Sequence, residues 1–150
     1  MILVSACLLG EACTYSGGDN FSSSLCAFLE DKKYITCCPE QLGGLPTPRP
    51  PAEIQDGDGT KVLSQTAHVQ NCCGQDVTEA FLSGAYATLD ICRQKDVDTA
   101  ILKEGSPSCG VKRIYDGSFS RRKITGQGVT AALLAANGIY VYSSEDFADF

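Results

Sequence analysis

Apolar positions in this chain fall into short runs that end abruptly in turns. Ile2-Leu3-Val4-Ser5-Ala6, Tyr34-Ile35-Thr36-Cys37, Thr99-Ala100-Ile101-Leu102 and Ile139-Tyr140-Val141-Tyr142 are the clearest of them. Runs this short, bounded by turn residues, predict buried strands, and in an α/β protein such strands are parallel. Helical spacing lies between them. Ser22, Ser23 or Ser24 can cap a helix with apolar positions Leu25, Phe28 and Leu29. Asp76 with Glu79 reads as a capping box ahead of Val77, Ala80, Phe81, Gly84, Ala85, Thr88, Leu89 and Cys92. Gly126-Gln127-Gly128 opens a helix from Val129 to Ala136, closed by Asn137-Gly138. The expected fold is therefore α/β, one domain over residues 1–150, with a short, mainly parallel sheet flanked by helices and a small hairpin or loop insertion.

The punctuation between these elements is equally informative. Five of the six prolines fall between Pro39 and Pro51, interleaved with Gly43 and Gly44. That segment is expected to be a stiff loop, neither helix nor central strand. Asp56-Gly57-Asp58-Gly59 is a hairpin signal, and Lys61–Leu63 with Ala67–Val69 are expected to form an antiparallel ribbon. Asp116-Gly117 predicts a second hairpin, between Ile114-Tyr115 and Ser118-Phe119. Ser143 or Ser144 should cap a last turn that ends in Phe147 and Phe150. His68, the single histidine, falls in the ribbon and is not expected to bind metal.

Parallel strands place their carboxyl ends on one edge, where open α/β sheets bind ligands. Three of the apolar runs lead there into cysteines: Cys7 directly, Cys38 in Cys37-Cys38-Pro39-Glu40, and Cys109 in Ser106-Pro107-Ser108-Cys109-Gly110. Cys37 beside Cys38 leaves the second position ambiguous, although Cys37 would continue its strand. Three thiolates suit a soft metal, either zinc or an iron–sulfur cluster, and leave one metal position open. Inert or redox-labile thiols are the alternative.

Composition narrows the field. The chain has 150 residues, enough for a substantial core. Twelve basic and eighteen acidic residues give a net charge of -6, which argues against nucleic acid and for a small substrate. Nine cysteines, an odd number outside a short secreted scaffold, read as reduced thiols. No apolar stretch approaches the roughly 18 residues that span a bilayer. The amino terminus lacks the signature of a signal peptide. A soluble cytoplasmic protein without a membrane partner is expected, as a monomer or a weak dimer.

Taken together and in order, several motifs carry a resemblance. They are Ser5-Ala6-Cys7-Leu8-Leu9-Gly10, Cys38-Pro39-Glu40 with Gly43-Gly44-Leu45-Pro46, Pro48-Arg49, Gln75-Asp76-Val77-Thr78, Leu102-Lys103-Glu104 with Ser106-Pro107-Ser108-Cys109-Gly110, Tyr115-Asp116-Gly117 and Gly126 with Gly128-Val129-Thr130. The set resembles the thiouracil desulfidase family of small cysteine-rich domains, over nearly the whole chain. The resemblance implies a 4Fe–4S cluster held by Cys7, Cys38 and Cys109. It also implies removal of sulfur from a thiolated nucleobase or related thioamide without net redox change. One departure is visible: where the family commonly has arginine-tyrosine-aspartate-glycine, this chain has Thr14-Tyr15-Ser16-Gly17.

Such chemistry needs a proton acceptor for an attacking water, and Glu40, two residues past Cys38, is within reach as general acid/base. Ser106 resembles the family's substrate-contacting serine and is a candidate for both catalysis and binding. Arg49 and Lys103 are candidates to orient substrate, although Lys103 and Glu104 also read as an ordinary exposed ion pair. Two rival functions fit less of the pattern. A cluster-dependent hydro-lyase would want several arginines for a carboxylate substrate. A non-catalytic metal or redox sensor would use Cys72-Cys73 and Cys37-Cys38 as switching thiols.

Overall fold

The computed structural model describes residues 1–149. Along the chain run β1 (Ile2–Ser5), α1 (Ser23–Leu29), β2 (Tyr34–Cys37), α2 (Pro39–Leu42), β3 (Ala52–Gln55), α3 (Gly59–Leu63), β4 (His68–Asn71), α4 (Thr78–Gln94), β5 (Thr99–Leu102), β6 (Arg113–Tyr115), β7 (Lys123–Thr125), α5 (Val129–Ala136) and β8 (Tyr140–Ser143). The expected runs are strands, and β2, β1, β5 and β8 pair in that order, parallel throughout. The register sets Leu3 beside Ile35 and Ala100.

Why the runs are apolar without alternation follows from what covers them. Leu3, Ala100 and Leu102 belong to one core with Phe81 and Leu89 of α4 and Leu134 of α5. Ile2, Val4 and Ile101 belong to a second core with Leu25 and Leu29 of α1. Both faces of the sheet are thus buried, in one α/β domain. Ser22 is the residue that caps α1, its side chain accepting from the Leu25 amide.

The segment after β2 corrects one expectation and positions the site. Pro39–Leu42 is a short helix, because proline lacks only an amide that the first helical turn leaves unbonded anyway. Helix α2 lies against α4 in backbone contact. A Cβ at Gly43 or Gly84 would have no room against the Ala80 or Pro39 carbonyl.

Other differences have equally local causes. The antiparallel ribbon pairs β3 with β4, whereas Lys61–Leu63 lies in α3. Asp58 does not turn a hairpin there; its carboxylate accepts from the Lys61 amide and caps α3. The second hairpin pairs β6 with β7, with Ser118-Phe119 in the connecting loop rather than in a strand. Asp76 makes no capping box: it accepts from the Thr78 amide at 2.9 Å, while Val77 stands at the start of α4. The last strand is displaced by one residue, to Tyr140–Ser143. Phe147 packs edge-on against Phe28, ring centroids 5.3 Å apart, and Phe150 lies outside the described residues.

Candidate active site at the carboxyl edge of the sheet

Each of the three cysteines leaves the end of a neighbouring strand. Cys7 lies in a 3-10 turn, Ala6–Leu9, that follows β1, and Asn20 Nδ2 reaches its Sγ at 3.5 Å. Cys38 follows β2 and starts α2, its Sγ donating to the Cys13 carbonyl at 3.7 Å. Cys109 sits in the loop between β5 and β6, with Ser108 Oγ 3.6 Å from its Sγ. All three line one cavity of about 850 Å³, together with Glu40, Arg49, Lys103, Ser106 and Ser108. Cys13, Cys37 and Cys72 line it too. No strand end marks Cys13 in the sequence, and only the return of the 11–20 loop to Cys38 brings it here.

The adjacent Cys37 and Cys38 turn to different partners. Cys37 is 9 % exposed and donates through Sγ to Thr88 Oγ1 of α4, on the core side. Burial pushes the Cys37 thiol up to about 12, despite the Thr88 contact. Burial also raises Cys7, with Asn20 partly offsetting it, and raises Cys109. Cys13 is pushed up to about 12 by burial and by the neighbouring Cys38 and Cys7. Thiols in such surroundings become thiolates only beside a compensating cation.

Among the described residues, no three His, Cys, Asp or Glu side chains gather closely enough for a single metal ion. A tetrahedral zinc site would set its sulfurs about 3.8 Å apart, given a Zn–S bond of about 2.3 Å. Thiols spread around a wide cavity suit a larger inorganic body instead. The all-sulfur donor set fits an iron–sulfur cluster and not a hard cation.

Across the cavity runs a chain of polar side chains. Arg49 Nε donates to Glu40 Oε1 at 3.1 Å, and Ser108 Oγ donates to Glu40 Oε2 at 2.8 Å. Ser106 Oγ accepts from the amides of Ser108 and Cys109, both at 3.1 Å. With its lone pairs so occupied, the Ser106 hydroxyl has its proton left to give, and Ser108 Oγ is 2.9 Å away. The order of donation is then Ser106 to Ser108 to Glu40. Ser108 was missed from sequence, although its i, i+2 spacing from Ser106 in Ser-Pro-Ser-Cys was a usable signal.

Glu40 is no solvated loop acid: its side chain is 15 % exposed and that of Arg49 is 4 %. Arg49, expected to orient substrate, is committed to the protein. Besides Glu40 it donates to Pro46 O at 3.2 Å, Thr47 Oγ1 at 3.0 Å and Cys13 O at 2.9 Å. A lysine has no planar fork to serve these partners at once. Arg49→Lys is therefore expected to cost about 1–3 kcal/mol, the penalty for leaving a buried polar group unpaired. Denaturant unfolding of the variant beside the parent would measure it.

The expected exposed ion pair of Lys103 and Glu104 is also corrected. Lys103 Nζ donates to the Glu104 main-chain carbonyl at 2.9 Å, and Glu104 is buried, 4 % exposed. Burial alone would raise the Glu104 pKa. The Ser143 hydroxyl and the amides of Arg113, Lys112 and Val111 outweigh that and hold its carboxyl below the ordinary range. Lys103 remains beside the cavity, where its charge favours the Cys7 thiolate. A second cavity, of about 660 Å³, contains no cysteine, and its two cations pair with acids, Lys112 with Asp146 and Arg113 with Glu145. No helix among the described residues is long and apolar enough to cross a membrane.

Comparison with known proteins agrees with this geometry. The chain is 48% identical over 149 residues to the uncharacterized protein YbbK of Bacillus subtilis, covering 99% of each. Among solved structures it is similar to the 4Fe–4S-dependent thiouracil desulfidase TudS, with a TM-score of 0.86 and 43% identity. That match covers 99% of this chain and 93% of the other. A family model described as 2-thiouracil desulfurase matches residues 2–146, and the chain belongs to that family.

Proposed function

We propose that this chain removes sulfur from a thiolated nucleobase of the thiouracil kind, using a 4Fe–4S cluster held by Cys7, Cys38 and Cys109. The observation that carries the reading is the cavity itself, where thiols from three strand ends face the Ser106–Ser108–Glu40 chain. Family membership and the likeness to TudS support the cofactor and the substrate class. When bound, the cluster supplies a Lewis-acidic iron without a protein thiolate, suited to a soft thiocarbonyl sulfur.

The chain's own residues do the rest. The reaction takes a C=S bond and water to a C=O bond, hydrosulfide and a proton, and consumes no oxidant. Ser108 takes the proton of the attacking water while handing its own to Glu40 Oε2. Ser106, donating to Ser108 Oγ, stabilises the charge that develops on that oxygen. Arg49 keeps Glu40 oriented with one oxygen engaged and the other turned to Ser108. Lys103, beside the cavity, orients the base, while Ser106 acts through Ser108. Reduced thiols and an oxygen-sensitive cluster suit a reducing cytoplasm. The net charge of -6 suits a small substrate better than an intact RNA.

The test is anaerobic reconstitution with iron and sulfide, followed by incubation with 2-thiouracil. Hydrosulfide and uracil should appear in equal amounts. Cluster-loaded protein that releases no hydrosulfide from any thiolated pyrimidine would refute the reading.

A further inference from the structure

Glu104 lies two residues past the end of β5, after Lys103, and its surroundings are unusual for an acid. One carboxylate oxygen, Oε1, accepts from four main-chain amides: Gly105 at 3.3 Å, Val111 at 2.9 Å, and Lys112 and Arg113 at 3.0 Å. These amides stand at the two ends of the loop that carries Ser106, Ser108 and Cys109. Charge-assisted bonds of this kind are about twice as strong as neutral ones, and here they all act on one loop.

The loop is gripped from the other side as well. The amides of Val129 and Thr130, at the start of α5, donate to Pro107 O and Ser108 O at 2.8 and 2.9 Å. Gly128 donates to Gly110 O at 2.8 Å, and a Cβ at Gly128 would collide with the Ser108 backbone. Between the two grips, the Cys109 amide is bonded to Ser106 Oγ. Little freedom is left for the direction of the Cys109 thiol.

The other oxygen, Oε2, is buried and makes no hydrogen bond of normal length among the described residues, although Ser143 lies near enough to favour the charged form. A half-satisfied buried carboxylate is a costly way to stabilise a turn. Its presence is explained if the gain is the shape of the loop.

We propose that Glu104 is a positioning residue for the cluster. By drawing the amides at both ends of the 105–113 loop onto one oxygen, it holds Cys109 and Ser106 at the cavity. This rests on the desulfidase reading only in taking Cys109 as a cluster ligand.

The test uses Glu104→Gln, which keeps the shape of the side chain and removes its charge, after anaerobic cluster loading. Amide hydrogen exchange at Gly105 and at residues 111–113 should accelerate at least tenfold, with β1 and β5 protected as in the parent. Cluster loss to a ferrous chelator should accelerate at least tenfold, and the electron paramagnetic resonance signal of the reduced cluster should shift. A general loss of stability would not move that signal while leaving β1 and β5 protected. Parent-like chelation and an unchanged signal would overturn the proposal, whatever the amides do. Should Glu104→Gln not fold, Glu104→Asp, charged but one methylene short, must give the same three changes, and parent-like values would again overturn it. A failure here leaves hydrosulfide release by the parent protein untouched, whereas absent release would refute the desulfidase reading instead.

Discussion

Cys109→Ser protein, reconstituted anaerobically, is expected to hold less than one iron per chain where the parent holds about four, the content of one 4Fe–4S cluster. The hydroxyl is a harder and far less acidic ligand than the thiol it replaces. The loop cannot offer a substitute from a neighbouring position, because its backbone is bonded to Glu104 on one side and to the start of α5 on the other. Cys37 is the thiol whose charge most affects Cys109, so it is the rival for the ligand role. Its Sγ, however, is turned to Thr88. Cys37→Ala should therefore keep the full iron content and cost only about 1 kcal/mol, an ordinary value for a small buried substitution. Thr88 loses nothing essential, since its hydroxyl also donates to Gly84 O at 2.7 Å. Iron and sulfide analysis after anaerobic desalting reads both variants. Full iron in Cys109→Ser with loss in Cys37→Ala would exchange the two assignments.

The same contrast shows what the order of residues reveals and what it conceals. Strand ends were legible because runs such as Ile2-Leu3-Val4 and Ala100-Ile101-Leu102 are buried on both faces, so their period is uninterrupted. Parallel pairing then dictates that Cys7, Cys38 and Cys109 emerge on one edge. Local punctuation was harder to interpret, because one residue type serves several turns. Pro39 ends a strand and also begins a helix, and Asp58 caps α3 where an Asp-Gly pair more often turns a hairpin. The environment of Glu104 was not legible at all. Its burial depends on residues 111–113 returning to it after an excursion of several positions, and nothing within the local sequence records that return. Cys13 and Ser108 entered the site for the same reason: their partners, Cys38 and Glu40, lie 25 and 68 positions away.

Glu40→Gln is the variant that separates proton transfer from architecture. The amide has nearly the same shape, and its oxygen can still accept from Arg49 Nε in the position of Oε1. Its nitrogen replaces Oε2 and donates where the carboxylate accepted, so the Ser108 hydroxyl loses the acceptor 2.8 Å away. Cluster content should be that of the parent, because the side-chain partners of Glu40 are Arg49 and Ser108 rather than a thiol. Turnover should fall by about 10²–10⁴-fold, the usual contribution of a positioned general base, which corresponds to about 2.7–5.4 kcal/mol of lost transition-state stabilisation. The Michaelis constant should change much less, since the base is held by other groups. The variant also leaves the buried Arg49 without its anion, so some loss of stability accompanies the loss of rate. If Glu40 served only to neutralise Arg49, stability would fall and single-turnover hydrosulfide release at saturating 2-thiouracil would keep the parent's rate. A slow but fully loaded enzyme would place the proton on Glu40, and a fast one would remove it from the chemistry.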